Sequence, residues 1–145
     1  MKRKATRKRL PAKRATAKKV QPIPAGYHAI TPYLAVRGGA QAIDFYKRAF
    51  GAKELVRMPG PNGKLGHAEV QIGNSRVMLS DEYEAMSFFG PQTRGGTTVL
   101  IHLYVKDVDA TVARAVAAGG KSVRPLQDQF YGDRACSIED PFGHL

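Results

Sequence analysis

The chain has 145 residues, 43% of them hydrophobic, which suits one domain or two very small ones with a sizeable core. Its formal charge of +11 sits almost wholly in residues 1–20, which hold ten Lys/Arg and no acid; the remaining 13 basic and 12 acidic residues nearly cancel. One cysteine, Cys136, excludes an internal disulfide framework and a multi-Cys zinc site. No apolar run nears the roughly 18–20 residues that span a bilayer, and no apolar signal core opens the chain, so a reduced, cytoplasmic protein is expected.

Residues 1–20 are Lys, Arg, Ala, Thr and Pro, with Leu10 and Val20 as the large apolar residues. Such a segment cannot bury enough surface to offset backbone entropy, so a disordered tail is expected. Its cations suit nonspecific, salt-sensitive nucleic-acid binding, and it has no aromatic side chain for base stacking. The alternative is a solubilising tail with no specific partner. Residues 21–26, with Pro22, Pro24 and Gly26, read as a linker.

From Tyr27 the pattern becomes globular. His28–Val36 reads as a strand and Gly38-Gly39 break it. Ala40–Phe50 reads as a helix closed by Gly51. Ala52–Met58 is a strand, and Pro59–Gly63 a loop. Gly66–Ile72 and Arg76–Ser80 are strands joined by a Gly73-Asn74 turn.

The second half runs the same course. Thr97–Val105 is a strand, Asp107 or Asp109 caps a helix over Ala110–Ala118, and Gly119-Gly120 end it. Lys121–Arg124 is strand-like, Pro125–Tyr131 a loop, and Gly132–Ile138 a strand ending in the Asp140–Gly143 turn. Val36 precedes Gly51 by the same interval as Val105 precedes Gly120, and Gly66 precedes Ile72 as Gly132 precedes Ile138. The expected fold class is therefore α+β: two tandem βαβββ modules, 27–82 and 97–145, forming curved sheets around a cleft within a domain spanning 27–145. The second module lacks the counterpart of Arg76–Ser80. A truncation or a strand from a partner chain would account for it.

The stretches TPYLAVRGGAQAIDFYKRAFGAKEL, HAEVQIGNSRVMLSDE and YGDRACSIEDPFGHL resemble the glyoxalase/bleomycin-resistance (vicinal-oxygen-chelate) family over about Tyr27–Leu145. The likeness is to its phosphonate-operon, 3-demethylubiquinone-methyltransferase-like branch. The resemblance implies a cleft between curved sheets, homodimerisation, and in many relatives a divalent metal held from the first, fourth, fifth and eighth strands. Here those positions fall at Thr31, Ser80 (Leu79 in the neighbouring register) and Leu100, with the eighth-strand position past Leu145. None of the three is a His, Glu, Gln or Asp, so no metal residues are assigned.

Alternation along the strands assigns faces. The polar or aromatic set Tyr33, His67, Glu69, Gln71, Ser80, His102, Tyr104 and Asp133 is expected to line a ligand-binding cleft, with Tyr33 and Tyr104 suiting an aromatic or planar ligand. Apolar Leu34, Val36, Ala68, Val70, Val77 and Leu79 should pack on the helix, with buried, inert Cys136 on the same side. Arg134 starts its strand on the helix side and could turn to an anionic ligand, whereas His28 and His144 read as surface residues. The stretch Glu84–Gly96, with Met86, Phe88 and Phe89, is apolar for a linker and would cover the cleft or make a dimer contact.

Three functions follow from this reading. The first is a small-molecule binder, sequestering or sensing a metabolite or drug without the usual metal. The second is a metal-dependent lyase, isomerase or dioxygenase with a displaced site at His67, Glu69 and His102. The third is a nucleic-acid-associated protein acting through its tail.

Overall fold

The computed structural model describes residues 20–145. Residues 1–19, which carry the expected basic tail, lie outside the described residues. The first half holds β1 (Tyr33–Val36), α1 (Gly39–Phe50), β2 (Lys53–Pro59), β3 (Leu65–Ile72) and β4 (Ser75–Asp81). The four strands form one sheet in the order β1-β4-β3-β2. β1 runs parallel to β4, from Tyr33 opposite Met78 to Val36 opposite Asp81, and β3 is antiparallel to both its neighbours.

The helix α1 lies where its apolar residues meet the sheet. Ala42, Ile43, Phe45, Tyr46 and Ala49 are buried in one cluster with Leu34, Val36, Ala68, Val70 and Leu79. The helix–sheet approach is close at Gly39, where a Cβ would stand 2.5 Å from Leu65 Cδ2. No side chain from the helix's own start caps it. Instead Asp81, at the end of β4, accepts from the Gly38 and Gly39 N–H groups at 2.8 and 2.9 Å and from Leu65 N–H at 2.6 Å. One carboxylate thus pins the positive helix end to two strands. The helix stops at Gly51, whose φ of 66° is the left-handed value a C-terminal cap uses.

Between the halves lies α2 (Pro91–Arg94). The second half holds α3 (Val108–Ala117), β5 (Lys121–Asp128) and β6 (Arg134–Glu139), with β5 and β6 an antiparallel pair. Asp107 is the cap of α3, accepting from Ala110 N–H at 2.9 Å.

The turn Asp140–Gly143 plugs the second half into the first. The Tyr46 hydroxyl donates to Asp140 Oδ2 at 2.7 Å, and Asp140 Oδ1 accepts from Phe142 N–H and His144 N–H at 2.9 Å each. Phe142 is buried, with its ring centroid 6.4 Å from Phe45 and 6.5 Å from Tyr46. His144 is half-buried rather than a surface residue, because its Nε2 donates to the Ala35 carbonyl at 3.0 Å.

Four further expectations need correction. The first strand starts at Tyr33, not His28: Pro32 has no N–H, although its carbonyl accepts from Met78 at 2.9 Å. Among the described residues the stretch Thr97–Val105 joins no ladder. Its one regular backbone bond outside local turns runs from Ile101 N–H to the Leu145 carbonyl at 2.9 Å. In the first half β4 flanks β1; among the described residues no strand takes that place beside 97–105, so Leu103 is 37% exposed where Leu34 is 9%. The expected loop from Pro125 is instead the continuation of β5 to Asp128, with the register slipping between Arg124 and Gln127 to accommodate the proline. Cys136 is half-buried, not fully buried: its thiol sits 3.2 Å from the Arg124 carbonyl, beside the ribbon rather than in the core.

Burial first, and then the Asp140 carboxylate, push the Tyr46 phenol well above its usual range, so it stays a donor. Replacing Tyr46 by Phe leaves a buried carboxylate oxygen without that donor. Urea unfolding should show a loss of about 1–3 kcal/mol. An unchanged midpoint would mean that the plug does not hold the halves together.

Candidate functional site

A cavity of about 520 Å³ opens on the exposed face of the first sheet, a size that suits a small ligand. Its walls are Tyr33 from β1, Ser80 from β4, Leu65 and Gly66 from β3, and the linker residues Tyr83, Met86 and Phe88. Lys64 and Pro61 stand at its edge, just before β3. The linker is held as a wall because Tyr83 and Phe88 exchange backbone hydrogen bonds at 2.9 and 3.1 Å around a single turn. Phe88 meets Tyr33 edge to face, with centroids 5.4 Å apart at 85°. Glu82, also at the wall, accepts from Gly90 N–H at 2.9 Å, from Thr93 and from Arg37 at 3.2 Å, which fixes the linker's far end.

Behind Tyr33 runs a polar chain. The Tyr33 hydroxyl lies 2.8 Å from His67 Nδ1, and His67 Nε2 lies 3.4 Å from Glu69 Oε1. Glu69 is 8% exposed, and its other oxygen accepts from the Tyr27 hydroxyl and from Arg76 Nη1 at 3.1 Å. The Arg76 guanidinium also lies 4.1 Å over the Tyr27 ring. The Tyr27 hydroxyl, and after it His67 and Arg76, hold the Glu69 carboxyl below the usual carboxylate range against the opposing effect of burial. The same contact with Glu69 pushes the Tyr27 phenol up.

The structure therefore brings Tyr33, His67 and Glu69 into one chain and puts Ser80 in the same cavity wall. It leaves the other four outside. Gln71 donates to the Gly73 carbonyl at 3.1 Å in its own turn. His102 and Tyr104 pack on each other, with centroids 4.7 Å apart, on the exposed 97–105 stretch. The Asp133 carbonyl accepts from Gln129 N–H at 2.7 Å at the base of the β5–β6 ribbon. Arg134 faces α3, as alternation says, where Asp109 takes its Nε and Nη2 at 2.8 and 2.9 Å and Asp128 its Nη1 at 3.1 Å. These acids occupy the charge that an anionic ligand would need. Sequence reasoning missed Tyr27, Arg76, Lys64 and Tyr83. Arg76 and Glu69 share a face of neighbouring strands, which was a readable signal.

The family model described as Glyoxalase/Bleomycin resistance protein/Dioxygenase superfamily matches residues 26–145. The chain belongs to this superfamily. A relative described as an uncharacterized protein of Mycobacterium bovis is 50% identical over 119 residues, spanning 80% of this chain and 78% of that protein. Among solved structures, TioX from Micromonospora sp. ML1 is 31% identical with a TM-score of 0.62, covering 81% of this chain and 90% of that one. TnmS3, an antibiotic binding protein from Streptomyces sp. CB03234, shares the fold with a TM-score of 0.58 at 23% identity over 81% of this chain and 93% of that one. FosX from Listeria monocytogenes, complexed with Mn(II), shares it at 0.59 and 18% identity, over 79% of this chain and 82% of that one.

A protein of the same fold thus holds Mn(II), and the residues here can be tested against a divalent cation. Among the described residues no three His, Cys, Asp or Glu side chains converge into a set that could hold an ion. His67 and Glu69 are a pair without His102. At the superfamily's positions, the Thr31 hydroxyl bonds the His28 carbonyl, the Ser80 hydroxyl donates to the Asp81 carbonyl at 3.0 Å, and Leu100 is 71% exposed hydrocarbon. This donor set does not fit a divalent cation.

The Glu69 hub has a stability signature. A carboxylate whose folded pKa is lowered stabilises the fold fully above its ordinary range, and that contribution fades as pH falls through the folded value. Thermal melts of wild type and Glu69→Gln should therefore differ most near neutrality and converge below about pH 4. A constant gap across that window would show that ionisation of Glu69 contributes no net stability.

Proposed function

We propose that this chain is a small-molecule-binding member of the superfamily, taking one planar aromatic ligand in the cavity beside Tyr33 without a divalent metal. The observation that carries this reading is the edge-to-face pair of Tyr33 and Phe88 in a cavity of about 520 Å³. An apolar, aromatic-walled cavity with a few polar residues in its lining, here Ser80 and Lys64, is the usual build of a ligand pocket. The poor donor set for a cation supports the metal-free part. The antibiotic-binding relative of the same fold is compatible with a role in sequestering or sensing a metabolite or drug.

Anilinonaphthalene sulfonate is a suitable first probe, since its naphthalene ring system is planar, it is fluorescent on burial, and its sulfonate can meet Lys64. It should bind with a stoichiometry of about one per chain, and EDTA should leave the affinity unchanged. Phe88→Ala should weaken binding about tenfold through loss of the aromatic wall. Binding that EDTA abolishes would favour a metal-dependent member of the superfamily instead. Binding indifferent to Phe88→Ala would place the site elsewhere.

A further inference from the structure

The chain behind Tyr33 has a fixed direction. Glu69 is an acceptor with no proton to give, because Tyr27 and Arg76 both donate to it. The His67 Nε2 facing Glu69 must therefore carry the ring proton when the imidazole is neutral. His67 Nδ1 is then a bare lone pair, and it accepts a hydrogen bond from the Tyr33 hydroxyl at 2.8 Å. Tyr33 lines the cavity, and its phenol has one proton, which His67 accepts, so a ligand that reaches its hydroxyl meets oxygen lone pairs.

We infer that Tyr33, set by the Glu69–His67 pair, is a hydrogen-bond acceptor toward the cavity and selects planar ligands that carry a donor, such as a phenol or a heteroaromatic N–H. This rests on the binding reading above and names the ligand class of the same site. A ligand that offers an acceptor at this point, such as an aryl ether or a quinone carbonyl, meets lone pair against lone pair and loses its water without gaining a partner. Tyr33 here sets specificity, and His67 and Glu69 act through it as positioning residues.

The test uses β-naphthol and its methyl ether, which share one ring system and differ in whether the oxygen can donate. Apolar burial alone favours the ether, which carries one more methyl group. Affinities are measured by fluorescence titration of the full chain. The wild type should prefer the naphthol about tenfold, the net worth of one ordinary hydrogen bond. Tyr33→Phe should erase the preference with little change for the ether. Glu69→Gln should also reduce it, because an amide can donate as well as accept and no longer fixes the imidazole proton. Circular dichroism confirms that each variant is folded.

Equal wild-type binding of the two compounds, sensitive to Phe88→Ala, would overturn the inference and leave the binding reading standing. A preference that survives Tyr33→Phe or Glu69→Gln in full would also overturn it. Failure of both compounds to bind, or indifference of both to Phe88→Ala, would overturn the binding reading and the inference together.

Discussion

The contact on which the rest depends is the hydrogen bond from Tyr46 in α1 to Asp140, 94 positions away in the second half. Asp140 also gathers the N–H groups of Phe142 and His144, so one buried carboxylate shapes a turn and docks it at once. Phe142 then enters the aromatic cluster of Phe45 and Tyr46, and His144 reaches the Ala35 carbonyl on β1. Buried carboxylates are tolerated only when their lone pairs are met, and here three donors meet them. The motif that looks like a surface turn in sequence is thus a structural plug, and α2 is fastened to it through Gln92 and the Pro141 carbonyl.

The cavity inherits its order from this arrangement. With β1 anchored by β4 on one side and by His144 on the other, Tyr33 projects from a fixed backbone. The linker wall is fixed by Glu82, which receives Gly90, Thr93 and Arg37. Beside the cavity, a polar chain runs from Arg76 through Glu69 and His67 to Tyr33.

Much of the first half was legible in the sequence because its signals are local. Alternation put Leu34, Val36, Val70 and Leu79 inward, and the 3–4 spacing of Ile43, Tyr46 and Phe50 marked the helix. Asp107 was readable as a cap for the same reason. The stretch 97–105 shows the limit of that reasoning. Its alternation is as good as that of β1, yet a strand exists only through a neighbour, and none of the described strands lies beside it. Pro125 looked like the start of a loop because proline blocks a ladder, but an edge strand with a slipped register absorbs it. Period two put Tyr33, His67, Glu69 and Ser80 on one face, where Tyr33, His67 and Glu69 form one hydrogen-bonded chain and Tyr33 and Ser80 line one cavity, and it grouped His102 and Tyr104 with them on the premise of a fifth strand. Tyr27, 42 residues from Glu69, carried no local signal at all.

We propose that ligands enter the first-half cavity and not the exposed apolar stretch of the second half, where Leu100 and Tyr104 are 71% and 80% exposed. An amide-resolved NMR titration of the labelled chain with β-naphthol tests this directly. Saturable shifts are expected at Tyr33, His67, Ser80 and Phe88, with residues 97–105 unmoved. Shifts concentrated in 97–105, with the Tyr33 and Phe88 amides unmoved, would contradict it.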